Sequence, residues 1–121
     1  MYSPTVQRLL AGLAHRGRLQ SPTGAAEREN PVCGDRLRLE LEITDEVIVQ
    51  VGYLVEGCTA AVVSAEAVAE WAEGRSIRDA RELRVEDLLQ YVGGLPSHKS
   101  HGAVLAVEAL HGALRTRDEK T

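Results

Sequence analysis

Two adjacent segments with strict alternation of apolar and polar residues limit most strongly what this chain can fold into. In the range 36–43 every second residue is apolar, namely Leu37, Leu39, Leu41 and Ile43. After a turn at 44–46, the range 47–55 repeats the period of two. Successive side chains of a strand point to opposite faces of a sheet, so each segment predicts a strand with one apolar face and one face in water. The pair is typical of an antiparallel hairpin.

The pattern changes to a helical period after Gly57. Apolar residues recur three and four positions apart in the range 61–72, and Gly74 fits the end of that helix. Further helices are predicted for 5–13, from 76 onwards, for 85–91 and from 97 onwards. Strands grouped early and helices grouped later indicate an α+β fold, with a small antiparallel sheet and helices packed on one face.

The length of 121 residues predicts a single domain, 1–121. Its first part, 1–29, is predicted as an N-terminal helix and a flexible connection, because 16–30 is rich in Gly, Ser, Pro, Arg and Glu and has no clear period. No apolar run approaches the roughly 20 residues of a membrane span and no signal peptide is recognisable, so a cytoplasmic location is expected. The net charge of −4, with both signs interspersed, argues against nucleic acid and membrane surfaces as partners.

The two cysteines are expected to be reduced thiols, because the cytosol does not sustain structural disulfides. Cys33 lies in a loop just before the first strand, where Gly34 permits tight backbone geometry. Cys58 follows Gly57 at a predicted helix start, where unpaired N–H groups and the helix dipole favour an anionic metal ligand. Each cysteine could instead be a small buried apolar residue.

An aspartate and a histidine are further candidates for chemistry. Asp35 could ligate a metal or cap a turn by accepting hydrogen bonds from backbone N–H groups. His101, one turn into the last predicted helix, could be a ligand or a solvated, hydrogen-bonded residue. His98 lies three residues earlier on the same side of that helix, which is a weak metal signal. His15 and His111 have no suitable neighbours in the pattern and are predicted to be surface residues.

Three short motifs follow one another along the chain. The first is Asn-Pro-Val-Cys-Gly-Asp at 30–35, the second is Gly-Cys-Thr-Ala-Ala-Val-Val-Ser at 57–64, and the third combines Leu95-Pro96 with Lys99 and His101. Together they resemble the IscU/NifU-type iron–sulfur cluster scaffold family, which includes the SufU-type sulfur acceptors. The resemblance covers essentially the whole chain. It implies the IscU/NifU N-terminal fold and a scaffold rather than an enzyme.

The family's scaffolds use three cysteines, an aspartate and, in many members, a histidine just before the third cysteine. The register set by Lys99 and His101 puts Gly102 at the third cysteine's position, and glycine has no side chain to bind metal or accept sulfur. The resemblance therefore implies a [2Fe–2S] cluster, or alternatively zinc, held by mixed ligands, with Lys99 in support. The implied ligands are Cys33, Asp35, Cys58 and His101.

Two functions remain open on these grounds. The first is an atypical scaffold or carrier that binds a transient cluster or metal ion and passes it to iron–sulfur acceptor proteins, with a cysteine desulfurase as a further partner that the resemblance implies. The second is a degenerate family member that binds zinc or no metal and acts as an interaction or regulatory module of the cluster-assembly system, as loss of the sulfur-accepting cysteine indicates. A third interpretation, a nucleophilic enzyme built on Cys, His and Asp, has the least support, because the sequence shows no recognisable oxyanion motif.

Other partners follow from the resemblance with less support from the residues. An Hsp70-type chaperone recognises Leu-Pro-Pro-Val-Lys in IscU proteins, whereas this chain has Leu-Pro-Ser-His-Lys at 95–99. Chaperone recognition therefore stays an open expectation. The sequence also leaves a homo-oligomer open.

Overall fold

The predicted hairpin is present and lies within a three-stranded antiparallel sheet. In the computed structural model, which describes residues 2–96 and 99–120, the strands are β1 (Gly24–Glu29), β2 (Arg36–Thr44) and β3 (Val47–Glu56). β2 is the central strand and pairs with both others. Asp45 and Glu46 have φ of 52° and 64°, the left-handed values that a two-residue hairpin turn of the I′ type requires.

β1 was not predicted, because residues 16–30 show no strand pattern. Its sequence is Gly-Ala-Ala-Glu-Arg-Glu, and residues of these types are depleted in strands. A Cβ atom on Gly24 would lie 2.3 Å from the carbonyl oxygen of Ala113, so this strand approaches the C-terminal helix very closely. The strand therefore depends on tertiary packing and on its pairing with β2.

The helices follow the predicted order. They are α1 (Pro4–Gly12), α2 (Thr59–Ala72), α3 (Ile77–Arg81), α4 (Val85–Tyr91) and α5 (His101–Lys120). In the described part of the chain the last helix begins at His101. Its expected start at Ser97, and with it His98, lies outside the described residues. Within the described residues, no helix combines the length and the apolar character that crossing a membrane requires.

The predicted α+β arrangement is confirmed, with α2 and α5 packed on the apolar face of the sheet. Leu37, Leu39 and Leu41 of β2 are at most 1% exposed and form the centre of the core. Full burial of each of these leucines stabilises the folded state by about 1.5–3 kcal/mol. Ten of the fourteen residues of α2 are buried, and most of them are alanine or valine. Small side chains let α2 and α5 approach closely, and this approach determines where their first residues meet.

The segment 13–23 between α1 and β1, here called the N-terminal strap, covers part of the outer face of the sheet. Glu40 lies on the face predicted to be in water, yet it is 1% exposed. Its Oε1 accepts from the backbone N–H of Leu19 at 2.9 Å, and its Oε2 accepts from Nε of Arg38 at 2.9 Å. Desolvation raises the pKa of Glu40, but these donors and Arg18 outweigh it and leave the pKa lowered. The prediction of a fully wet face was wrong at this residue.

The strap also crosses the free edge of β3, and its His15 is partly buried, with 16% of the side chain exposed. The ring Nδ1 of His15 lies 2.6 Å from Oε2 of Glu66, a buried α2 residue that is 3% exposed. The hydroxyl of Tyr53 donates to the other oxygen of Glu66 at 2.8 Å. The prediction that His15 is a surface residue was therefore wrong. It was also wrong for His111, which is partly buried; desolvation lowers the pKa of His111.

Candidate metal centre

Three elements that are distant in sequence present the predicted site residues at one end of the sheet. Cys33 and Asp35 lie on the loop between β1 and β2, Cys58 is the N-cap residue of α2, and His101 is the first residue of α5. A cavity of about 400 Å³ lies between these elements. Its lining comprises Cys33, Gly34, Asp35, Glu56, Gly57, Cys58, Lys99 and His101. The structure therefore brings all four predicted ligands, and Lys99, to one cavity.

The loop that carries Cys33 is held by hydrogen bonds within the loop, to the side chain and the backbone of Asn30. Oδ1 of Asn30 accepts from the N–H of Val32 at 3.0 Å, and the carbonyl of Asn30 accepts from the N–H of Gly34 at 2.7 Å. Gly34 has φ of 76°, which side-chain-bearing residues rarely adopt. This turn leaves Cys33 exposed while directing Asp35 inward.

Asp35 links the loop to α2 and keeps one oxygen without a hydrogen bond. Its Oδ1 accepts from the backbone N–H of Cys58 at 3.2 Å, so it caps the start of the helix. Its Oδ2 is buried and has no hydrogen-bond partner among the described residues, although Nε2 of His101 lies 3.1 Å away. That contact is close enough for an ion pair but lacks the direction of a hydrogen bond. A buried carboxylate oxygen without a donor is costly, and a bound cation would satisfy it.

His101 is the point where the donor atoms converge. Its Nε2 lies 3.1 Å from Oδ2 of Asp35 and 3.8 Å from Sγ of Cys58. Bond lengths to zinc of about 2.1 Å for nitrogen and oxygen and about 2.3 Å for sulfur give tetrahedral edges of roughly 3.4 Å for N–O and 3.6 Å for N–S. The observed separations differ from those edges by about 0.2–0.3 Å. Each of these two separations from His101 is therefore close to the distance between two ligands of one ion.

Cys33 adds a second sulfur from the exposed side of the cavity. One ligand atom each from Cys33, Asp35 and His101 lie within 4.8 Å of one another. Cys58 does not belong to that group of mutually close donor atoms, although its Sγ lies 3.8 Å from the same histidine nitrogen. The donor set thus combines two thiols, one imidazole and one carboxylate.

Gly57 is a site residue that the sequence analysis did not assign. A Cβ atom on Gly57 would lie 2.5 Å from Oδ1 of Asp35. The missing side chain is what allows the Asp35 carboxylate to reach the start of α2. Only its place in the second motif, directly before Cys58, signals this role.

Residues 1–121 match the family model described as the NifU-like N terminal domain. This chain belongs to the NifU-like N-terminal domain family. The expectation drawn from the three motifs is thereby confirmed.

Relatives of this NifU-like chain are named after NifU or after IscU. It is 40% identical over 114 residues to the bifunctional protein NifU/MnmA of Rubrobacter xylanophilus, covering 93% of this chain and 23% of that protein. It is 30% identical over 114 residues to the iron-sulfur cluster assembly scaffold protein IscU 1 of Archaeoglobus fulgidus, covering 94% of this chain and 74% of that protein. The chain thus spans about a quarter of the Rubrobacter protein and about three quarters of the Archaeoglobus protein.

A solved structure shares the fold of this NifU-like chain. The N-terminal NifU-like protein from Brucella abortus superposes with a TM-score of 0.78 at 18% identity, covering 98% of this chain and 95% of that one. The three-stranded antiparallel sheet with packed helices is therefore the fold of NifU-like N-terminal domains.

The donor set of this NifU-like chain fits a metal. Two thiolates, an imidazole and a carboxylate suit tetrahedral zinc or iron, and the unsatisfied oxygen of Asp35 points to a cation at this place. Cys33, Cys58 and His101 would hold such a group together with Asp35. A bound cation would supply charge compensation there, and iron would also supply the metal from which a cluster is built.

Proposed function

We propose that this chain is an atypical iron–sulfur cluster scaffold or carrier that holds a cluster, or its iron, transiently and passes it to acceptor proteins. The observation that carries the proposal is the convergence of donors from three separate elements around a buried carboxylate oxygen without a hydrogen-bond partner in the described residues. The family and the scaffold names of its relatives support the same function. The proposed ligands are Cys33, Asp35, Cys58 and His101.

The placement of the proposed ligands suits a cluster that is released to another protein. Cys33 lies on an exposed loop, where a partner protein could reach it. Asp35 and His101 replace soft thiolate ligation by oxygen and nitrogen, and such mixed ligation is less usual for iron–sulfur clusters than four cysteines. Lys99 lines the same cavity and would offset negative charge on a bound cluster. A cysteine desulfurase would supply the sulfur, and an Hsp70-type chaperone is a further candidate partner.

A specific observation favours a second candidate, a zinc-binding interaction module of the same assembly system. The N–O and N–S separations lie within about 0.3 Å of the edges of a tetrahedron about one ion, and Gly102 stands where the family has a third cysteine. A chain that holds zinc and no inorganic sulfide would bind a desulfurase or a scaffold without building clusters itself.

Elemental analysis separates the two candidates. The chain is purified without oxygen and reconstituted with iron and sulfide, and its iron, zinc, acid-labile sulfide and visible spectrum are measured. Stoichiometric iron and sulfide with cysteinate charge-transfer bands are expected for a scaffold; about one zinc per chain without sulfide supports the module instead.

Paired variants test the ligands directly. Cys33→Ser, Cys58→Ser and Asp35→Asn should each lower metal content sharply. Asp45→Asn is the matched control for the aspartate, because Asp45 is exposed in the hairpin turn and asparagine tolerates its positive φ. His111→Ala is the matched control for His101→Ala. Equal metal content in ligand variants and controls would refute the proposed site.

A further inference from the structure

The first turn of α5 packs directly against the backbone of α2 at Gly102. This glycine is buried, and a Cβ atom there would lie 2.8 Å from the carbonyl oxygen of Ala60, 2.9 Å from its carbonyl carbon and 3.1 Å from the nitrogen of Ala61. All three atoms belong to the backbone of α2, so they cannot move aside by a side-chain rotation. Any side chain at residue 102 therefore has to separate the two helices.

This contact lies between two of the proposed ligands. Gly102 directly follows His101, and Ala60 is two residues beyond Cys58, so the contact adjoins both residues whose Nε2 and Sγ atoms lie 3.8 Å apart. Carbon atoms in ordinary contact stand about 3.5–4.0 Å apart, so a Cβ atom 2.9 Å from the carbonyl carbon of Ala60 implies a shift of roughly 0.6 Å. Metal–ligand distances are held to within about 0.2 Å. The required shift exceeds that tolerance.

We propose that Gly102 is a positioning residue of the metal centre, whose missing side chain lets α5 meet α2 and so sets His101 and Cys58 for one metal ion. This inference rests on the proposed ligand set. In this chain the position of the family's third cysteine is used for backbone packing. A thiol introduced there does not complete the site but moves its ligands apart.

Metal binding by Gly102→Ala and Gly102→Cys tests the proposal. Gly112→Ala is the control for crowding of α5 at a place away from the cavity, because Gly112 is also a buried glycine of α5. Its added methyl group would meet the guanidinium of Arg28 and stand 2.9 Å from Cβ of Ala26, so it crowds α5 against β1 and not against α2. Zinc affinity is measured by competition with a chromophoric chelator. Cobalt(II) is then used as a spectroscopic probe, because its d–d bands report ligand geometry and its thiolate charge-transfer bands report the number of sulfur ligands.

Both Gly102 variants are expected to bind zinc at least tenfold more weakly than wild type and to show altered cobalt d–d bands, in keeping with the roughly 10–100-fold losses seen when residues supporting a metal site are changed. Gly112→Ala should stay within about twofold of wild type. Alanine is the better helix former, so Gly102→Ala is the variant expected to stay folded. Circular dichroism with and without zinc separates loss of fold from loss of binding, and a zinc-induced refolding midpoint gives the affinity of a variant that unfolds without metal.

Three results would overturn the inference, and they do so in distinguishable ways. Tighter zinc binding by Gly102→Cys with an added thiolate charge-transfer band, or unchanged binding in both Gly102 variants, overturns the positioning role alone and leaves the site intact. A wild-type chain that takes up neither zinc nor cobalt nor iron overturns the proposed site and this inference with it.

Discussion

Replacing Tyr53 by phenylalanine tests the buried polar cluster that joins β3, α2 and the N-terminal strap. Tyr53 is 1% exposed, and desolvation followed by its hydrogen bond to Glu66 raises the pKa of its hydroxyl, which therefore stays protonated and donates. Phenylalanine keeps the ring, so the core loses no volume beyond the hydroxyl. Oε1 of Glu66 would keep only the backbone N–H of His15, at 3.0 Å, as a donor.

The expected loss of unfolding free energy is about 2 kcal/mol. A hydrogen bond to a charged group contributes about 1.5–3 kcal/mol, and here the acceptor is a carboxylate that is 3% exposed and cannot recruit bulk water. A domain of this size is stable by only about 5–15 kcal/mol, so the change is large enough to measure.

Urea unfolding followed by circular dichroism measures this loss. With a slope of about 1–3 kcal/mol per molar urea, the midpoint should fall by roughly 1 M at an unchanged slope. Tyr91→Phe is the control, because Tyr91 is less buried and its neighbours Glu70 and Arg8 form a pair on the surface, where such contacts contribute about 0–1 kcal/mol. If Tyr53→Phe unfolds within about 0.2 M of wild type, the carboxylate of Glu66 does not depend on this donor and the reasoning fails.

Two further outcomes are expected. Desolvation lowers the pKa of His15, but hydrogen bonds to neighbouring glutamates outweigh it and leave the pKa raised. The contribution of His15 to stability is therefore fully present below about pH 6.5 and is lost as pH rises through the raised pKa. The stability difference between wild type and His15→Gln, from urea unfolding, should therefore be larger near pH 6 than near pH 9, and a difference independent of pH would contradict this. Gly57→Ala should displace the carboxylate of Asp35 and weaken zinc binding measured by chelator competition. Gly12→Ala should not, since no atom lies within 4 Å of the added methyl group; equal affinities would show that Asp35 is not held by this contact.

The sequence predicted those elements whose patterns are local. The alternation of β2 and β3 and the helical period of α2 are written in consecutive residues, so both were predicted and confirmed. β1 was missed because strand-depleted residues carry it and its pairing with β2 supplies the order. His15 and Glu40 were assigned to water because charged or titratable residues are usually exposed. Their burial depends on a strap that crosses from one face of the sheet to the other, which no local pattern encodes.

For the candidate site, too, the sequence predicts one part and not the other. Its donor residues could be read from three motifs, and the structure brings them to one cavity. The contacts that place them could not be read, since Gly57 and Gly102 act through distances between separate elements. From the sequence, Gly102 is only a missing ligand. In the structure it is also the point at which two helices touch.

The N-terminal strap has a consequence for how the chain behaves when shortened. β3 is an edge strand, and the N–H of Gly17 donates to the carbonyl of Tyr53 at 2.7 Å, so the strap occupies part of an edge that could otherwise pair with a strand of another molecule. A chain beginning after residue 23 would expose that edge and leave Glu40 and Glu66 short of donors. We expect such truncated forms to self-associate through their sheets, so the strap would protect the edge of β3 from aggregation.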